Sequence, residues 1–168
     1  MKTNLLVSAA FLLTSLVSAQ TKPVALAKVY VGKDNLAHLV DANGKDIAMP
    51  KEQDQVDVSQ AKLADDKQTA GWLIHQDNCC TSYSIPTGLL VYREGKKLNL
   101  GDGLMIYDWC FVEGSAKVAM STGTVHGMET RHLLLYDARS GRQLQEWSGD
   151  FDKTPPSWAT DLKQMTLR

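Results

Sequence analysis

The residues best suited to chemistry lie in one polar segment, residues 77–86. Cys79 and Cys80 are adjacent in it, and Tyr83 follows three residues later. Two adjacent thiols can close a strained vicinal disulfide ring, which would present a stiff, flat apolar surface to a ligand. Alternatively, one of them bridges to Cys110, or the thiols stay reduced and one is buried as a small apolar side chain. Neighbouring side chains on a strand point to opposite faces, so at most one of the pair can comfortably reach Cys110.

The chain also carries side chains of the types that copper and zinc prefer as ligands. They are Cys79, Cys80, Cys110, His75 and His126. Their spacing does not favour a metal site, because the sequence has no C-x-x-C or H-x-x-x-H pattern and adjacent cysteines chelate one zinc ion poorly. We therefore expect no metal and no cofactor, and we keep a periplasmic thiol or copper/zinc protein as an alternative.

A second polar segment, residues 122–130, contains His126 and Glu129. The repeats described below make this segment equivalent to the cysteine loop, and equivalent loops of a meander leave the same edge of the sheet. We therefore predict one binding rim on the two loops. Its residues are Cys79, Cys80, Tyr83, His126 and Glu129. In the alternative interpretation, His126 only holds its own loop in place through hydrogen bonds.

Templates for catalysis are missing from the sequence. There is no G-x-S-x-G elbow, no P-loop and no G-x-G-x-x-G after a strand. Asp102 and Asp108 could form a carboxylate pair, but their surroundings favour a role in a turn and at a strand edge. Tryptophans are expected in core and rim packing rather than as a platform for sugars. They are Trp72, Trp109, Trp147 and Trp158. No residue is therefore predicted to be catalytic.

The elements that would position the rim are hairpins. Gly44, Gly95 and Gly141 each lie in a short polar turn between two extended apolar segments. Glycine supplies the positive φ that a tight hairpin turn requires. The last two of these hairpins are each preceded by another strand–turn–strand segment, residues 62–74 and 109–120. The matching apolar residues are seven positions apart in both segments, Leu63 with Ala70 and Phe111 with Val118.

These segments form a repeat. Tyr92 and Tyr136 occupy matching positions 44 residues apart, and four strands per 40–50 residues is the spacing of propeller blades. The chain holds about three units, whereas closed propellers have four or more. We therefore predict an all-β fold, an antiparallel meander of about three propeller-blade-like units in an open sandwich or incomplete propeller. Residues 50–61 are expected to form a surface connection. A short C-terminal helix is expected to cover the core with Trp158, Leu162 and Met165.

The last two units resemble TolB-type and WD-type propeller repeats. The resemblance rests on a polar turn before residues 67–70, Lys-Gln-Thr-Ala, and on the hairpin 135–141, which has the form Leu-Tyr-Asp-x-x-x-Gly. The turn at 64–67 is Ala-Asp-Asp-Lys, where such repeats usually have Ser-Pro-Asp-Gly.

A longer stretch, residues 71–158, resembles a group of uncharacterised exported bacterial proteins. Shared features are the run 78–86 (Asn-Cys-Cys-Thr-Ser-Tyr-Ser-Ile-Pro), then Trp109 and Phe111, then His126 followed by glycine. This resemblance covers a little over half of the chain. It implies export and brings no assigned activity.

The first residues have the layout of a secretory signal. Lys2 precedes an apolar run over residues 5–17, and the small residues at 17–19 predict cleavage before Gln20. We expect a signal peptide at 1–19 and a single β-rich domain at 20–168, in the periplasm or secreted. The run is shorter than the roughly 20 residues of a spanning helix, so no membrane insertion is expected after cleavage. A net charge of −1 does not favour nucleic-acid binding.

The sequence thus predicts an exported, non-catalytic binding or interaction module whose rim loops contact a protein or a small ligand. The thiol or metal protein is the first alternative. A small inhibitor or immunity protein against a cell-envelope toxin or hydrolase is the second, which size and compartment allow. The ligand, the cysteine pairing and the oligomeric state are left open at this level.

Overall fold

The computed structural model describes residues 24–79, 81–127 and 130–162. Within these residues, eleven strands form three antiparallel sheets, of three, four and four strands. The N-terminal sheet contains β1 (Leu26–Val31), β2 (Ala37–Asp41) and β3 (Asp46–Ala48). The middle sheet contains β4 (Gln55–Leu63), β5 (Thr69–Gln76), β6 (Ile85–Arg93) and β7 (Lys96–Leu100). The C-terminal sheet contains β8 (Met105–Val112), β9 (Lys117–Gly123), β10 (Thr130–Asp137) and β11 (Gln143–Asp150). The predicted signal peptide lies outside the described residues.

The strand order confirms the predicted fold class. Each strand pairs with the next one along the chain, in the orders β4-β5-β6-β7 and β8-β9-β10-β11, and the sheets do not close into a barrel. Leu63 pairs with Ala70 and Phe111 with Val118, as the seven-residue spacing predicted. At the β6–β7 turn Gly95 has φ +80°, a conformation that side chains rarely adopt.

The three sheets stack, with the middle sheet buried on both faces. Alternation along β5 sends Leu73 toward the C-terminal sheet and Trp72 toward the N-terminal sheet, since neighbouring strand residues face opposite ways. The core between the middle and C-terminal sheets is apolar and fully enclosed. Its largest members include Leu73, Leu89, Val91, Ile106, Trp109, Met120 and Leu134.

The outer face of the C-terminal sheet is covered by the chain end. The predicted C-terminal helix is present as a short 3₁₀ turn, Ser157–Ala159, preceded by the extended residue Pro156 with ψ 148°. Ala159 and Leu162 are buried against β9 and β10, and Trp158 packs beside them. The chain end therefore covers this part of the core, as predicted, and Met165 lies outside the described residues.

One sequence-based expectation about the fold is wrong. Residues 50–61 were expected to be a surface connection, but β4 begins at Gln55. This strand lies at the open edge of the middle sheet, where polar side chains remain solvated, so its composition resembles that of a loop. The pairing with β5 also shifts between Ser59 and Lys62, and Gln60 has φ +50°, which marks a β-bulge.

Among the described residues, no helix is long and apolar enough to cross a membrane.

Candidate functional site

Three loops leave the same end of the middle and C-terminal sheets. The β5–β6 loop lies at the end of the middle sheet where Gln76, the last residue of β5, pairs with Ile85, the first residue of β6. The last residue of β7, Leu100, pairs with Leu89 near the same end of β6. The short β7–β8 connection keeps β8 at that end, and the start of β8 pairs with Gly123 at the end of β9. Among the described residues, the rim is therefore formed by residues 77–79, 81–84, 101–104 and 124–127.

The cysteine loop presents Tyr83 to solvent. The Tyr83 side chain is an exposed aromatic, with 61% of the residue accessible. Its backbone is held, because the Thr81 hydroxyl donates to the Tyr83 carbonyl at 2.5 Å. Cys79 is exposed on the same loop, and Cys80 lies outside the described residues.

In the described part of the second loop, the backbone is held by contacts of Thr124. The Thr124 hydroxyl donates to the Gly127 carbonyl at 2.5 Å, and the Tyr107 hydroxyl donates to the Thr124 carbonyl. His126 is exposed, and none of the hydrogen bonds or ion pairs among the described residues involves its side chain. The alternative role of His126, holding its own loop, stays a prediction. Glu129 is one of the residues that the structure does not describe.

Among the described residues, Cys110 is not bridged to another cysteine, so the structure does not show the Cys110 bridge that was one of the alternatives. Cys110 has a free thiol. Along β8, Trp109 faces the middle sheet, so Cys110 faces the opposite way, toward the chain end that covers the C-terminal sheet. The C-terminal sheet itself therefore separates this thiol from the cysteine loop of the middle sheet. Burial raises the pKa of Cys110 to about 11, so the thiol stays protonated and is a poor nucleophile near neutral pH.

The side chains considered as metal ligands are not gathered into one site. His75 contacts Ser59 across two strands of the middle sheet, with Nε2 at 2.6 Å from the hydroxyl. Within the described ranges, no group of three or more His, Cys, Asp or Glu side chains has the arrangement needed to hold a metal ion.

A polar cluster that the sequence did not predict lies directly beneath the rim. The Thr122 hydroxyl donates to Asp102 Oδ2 at 3.1 Å and lies 2.9 Å from His132 Nδ1. His132 Nε2 lies 3.1 Å from Glu146 Oε1, and this hydrogen bond lowers the pKa of Glu146. Asp102 belongs to the β7–β8 connection, so the cluster ties one rim loop to three strands of the C-terminal sheet. We call this group the His132 brace.

One signal could have indicated the His132 brace. His132 lies two and four residues before Leu134 and Tyr136, which face the core, so strand alternation places it on the same face. A buried polar side chain requires a partner. What the sequence does not show is which partner, since Asp102 and Glu146 are distant along the chain.

The brace has the residue types of a hydrolase triad, but its hydroxyl is enclosed. Thr122 is only 1% exposed, so a substrate carbonyl has no approach to the oxygen that would attack it. The arrangement instead holds the orientation of the His132 ring and positions the rim loop that carries Asp102. Its chemistry is that of a structural hydrogen-bond network.

A scan against protein-family models, a search of curated proteins and a search of solved structures each found no match to this chain.

Proposed function

We propose that this chain is an exported, non-catalytic binding module that contacts a partner, either a protein or a small ligand, through the rim. The observation that carries the proposal is the exposed ring of Tyr83 on a loop whose backbone is held in place. Tyrosine provides a large, rigid contact area at low entropic cost, and it is enriched at the energetic centres of interfaces.

The second support is the set of hydrogen bonds that hold the described parts of two rim loops. Asp102 accepts the Leu104 N–H at 3.0 Å and the Thr122 hydroxyl at 3.1 Å, so it shapes the β7–β8 connection and anchors it. Tyr107 and Thr124 hold the loop that carries His126. A binding surface that is already ordered loses less conformational entropy when it associates.

Export is part of the proposal because of the signal-like residues 1–19, and it decides where the partner is sought. The experiment should therefore use the protein produced with its natural N-terminus in a bacterial host. We would replace Tyr83 or His126 with the photoreactive residue p-benzoylphenylalanine, and Arg139 as the control. Arg139 is exposed in the β10–β11 turn, at the end of the sheets opposite the rim.

Illumination is expected to give covalent adducts from positions 83 and 126 and none from position 139. Adducts of equal yield at all three positions, or at position 139 alone, would contradict the proposal. Intact native mass and non-reducing peptide mapping of the same sample test the thiol or metal alternative. Reduced cysteines with added copper or zinc mass would support that alternative over a binding module.

A further inference from the structure

The last strand of the N-terminal sheet has few contacts of its own. Among the described residues, β3 is joined to β2 by three residue pairs, and all three residues of β3 are exposed. The strands at the corresponding edges of the other two sheets, β7 and β11, have five and eight residues. A strand that is this short and this exposed opens at low cost in free energy. The side chains that tie β3 to the rest of the sheet therefore matter for its attachment.

These side chains meet at His38, in the central strand β2. The imidazole Nδ1 lies 3.0 Å from Asp46 Oδ1 on β3, and Nε2 lies 3.1 Å from Asp34 Oδ2 in the β1–β2 turn. From β1, Tyr30 stacks on the imidazole with ring centroids 4.9 Å apart, and its hydroxyl donates to Asp46 Oδ2. The ammonium group of Lys28, also on β1, lies 4.5 Å from the centroid of the Tyr30 ring. We call Tyr30, Asp34, His38 and Asp46 the His38 cluster.

The two hydrogen bonds of His38 require the charged form of its ring. An ionised carboxylate only accepts hydrogen bonds, so both ring nitrogens must carry a proton when each of them faces a carboxylate. A neutral imidazole has a single N–H, and its other nitrogen would direct a lone pair at a carboxylate oxygen. The observed geometry therefore corresponds to an imidazolium held between Asp46 and Asp34.

Loss of this charge affects β3 more than the β1–β2 turn. The turn has backbone hydrogen bonds of its own, because the Gly32 N–H donates to the Leu36 carbonyl at 2.8 Å and the Asn35 N–H donates to the Gly32 carbonyl at 3.2 Å. A neutral ring would leave two carboxylates near each other without the cation that attracts both, and like charges repel. The contact that Asp46 makes with His38 is weakened in either tautomer, since the attraction to the positive charge is lost.

We propose that the His38 cluster is a pH-sensitive clasp, which holds β3 on the sheet while His38 is protonated and loosens it when the imidazole loses its proton. The folded pKa of His38 lies above 6.5, so the clasp is closed below pH 6.5 and opens as the pH rises through the folded value. Opening uncovers the backbone groups of β2 that pair with β3, and a free strand edge can pair with another strand. The device lies in the N-terminal sheet and is independent of the rim proposal.

Hydrogen exchange of the exported chain tests the clasp. Mass spectrometry gives the protection factor, which corrects for the intrinsic pH dependence of exchange, for a peptide that covers residues 46–49. We expect this factor to fall about threefold or more between about pH 5 and about pH 8, while the factor of the buried strand β9 stays constant. Nitrogen-15 NMR of the His38 imidazole, assigned from its loss in His38→Gln, is expected to show a proton on both ring nitrogens at the lower pH.

Two variants show whether the pH dependence comes from His38. His38→Gln keeps a side chain that forms hydrogen bonds but does not titrate, so residues 46–49 should have the same protection factor at both pH values. His126→Gln is the matched control, because it removes an exposed imidazole from the C-terminal sheet, and it should keep the native pH dependence. The proposal is overturned if protection of residues 46–49 does not fall with rising pH, if His38→Gln keeps the fall, or if one ring nitrogen of His38 lacks a proton at the lower pH. Far-ultraviolet circular dichroism of each variant verifies the fold.

Discussion

Two histidines in this chain are each held between two carboxylates, but their partners are distributed very differently. In the N-terminal sheet, His38 Nδ1 lies 3.0 Å from Asp46 Oδ1, and Nε2 lies 3.1 Å from Asp34 Oδ2. In the C-terminal sheet, His132 has Glu146 at 3.1 Å and Asp102 at 3.4 Å. The side chains of the two histidines are similarly enclosed, with 16% and 14% exposed.

The His38 cluster is local and lies at the surface. Its carboxylates come from the same sheet, within residues 34–46, and Tyr30 stacks on the imidazole with ring centroids 4.9 Å apart. Hydrogen bonds that the imidazole donates to Asp46 and then to Asp34 raise the pKa of His38, although desolvation opposes them. The hydrogen bonds from Tyr30 and then His38 lower the pKa of Asp46. This cluster therefore supports one hairpin and its surroundings.

The His132 brace, in contrast, links residues from 102 to 146 and includes a hydroxyl that solvent does not reach. Removing a partner from an enclosed hydrogen-bond network leaves the remaining groups unsatisfied. Removing a partner at the surface lets water replace it. The comparison therefore predicts that the two histidine clusters differ in their contribution to stability, because Thr122 and Asp102 are enclosed, with 1% and 21% exposed, whereas the carboxylates around His38 are 48% and 44% exposed. Glu146 is 57% exposed, so the difference comes from the other two partners of His132.

The largest effect is expected from His132→Ala. We expect a loss of about 2–3 kcal/mol in the free energy of unfolding, since the change leaves Thr122 short of a partner and creates a cavity. Urea denaturation measures the loss. His126→Ala is the matched control, because His126 is exposed near the same end, and it should change stability by less than about 0.5 kcal/mol. Equal losses in the two variants would mean that the brace does not stabilise the fold.

A smaller loss, about 1–2 kcal/mol, is expected from Thr122→Val. Valine keeps the shape of the side chain and removes only the hydroxyl that contacts Asp102 and His132. The same denaturation experiment applies, with Thr154→Val as the exposed control. If both threonine variants lose the same free energy of unfolding, water can replace the hydroxyl of Thr122. The His132 brace would then contribute no more to stability than a surface cluster.

The His38 cluster should contribute less, and in a manner that depends on pH. We expect His38→Gln to cost less than about 1 kcal/mol, as is typical of surface ion pairs. Because the folded pKa of His38 lies above 6.5, its contribution is complete below pH 6.5 and disappears as the pH rises through the folded pKa.

The contribution of the carboxylates of this cluster to stability depends on pH in the opposite direction. Desolvation would raise the pKa of Asp34, but the hydrogen bonds from His38 and the Leu36 N–H outweigh it and lower the pKa below 3.8. Its contribution is present above pH 3.8 and is lost as the pH falls through the lowered value. The stability difference between the native chain and His38→Gln should therefore be largest between about pH 3.8 and 6.5. A difference that grows above pH 6.5 would contradict this assignment.

The smallest effect concerns Gly32, which lies against the His38 cluster. A Cβ atom built there would lie 2.3 Å from Asp34 Oδ1 and 2.6 Å from His38 Nε2. We expect Gly32→Ala to push these two side chains apart and return the pKa of His38 toward 6.5 with a minor change in stability. An NMR titration of the imidazole measures the shift, and Lys33→Ala is the neighbouring control. An unchanged His38 pKa would show that the cluster adapts without losing the Asp34 contact.

The positions of most strands could be predicted from the sequence, because they depend on patterns that extend over only a few residues. The Leu63–Ala70 and Phe111–Val118 pairs follow from apolar spacing across a short turn, and Gly95 at φ +80° follows from the stereochemistry of that turn. The exception, β4, shows the limit of this reasoning. An edge strand keeps one side open to water, and its composition then matches that of a loop.

The candidate site could be predicted from the sequence only in part. The common end of the loops that carry Tyr83 and His126 follows from the repeat, since equivalent connections of a meander leave the same side. The face of the C-terminal sheet that carries Cys110 could not be predicted, because the sequence did not show which face of β8 meets the middle sheet. The roles of Tyr83 and His126 in binding stay predictions until the crosslinking experiment is done.

The sequence by itself determined the all-β meander, its turns and the pairing of its neighbouring strands, because periodicity and glycine stereochemistry act over a few residues. Only the tertiary structure decided that His132 meets Asp102 and Glu146 and that Cys110 faces away from the cysteine loop. These contacts join segments tens of residues apart. They depend on how whole sheets stack and how the chain end packs on them, which no local pattern encodes.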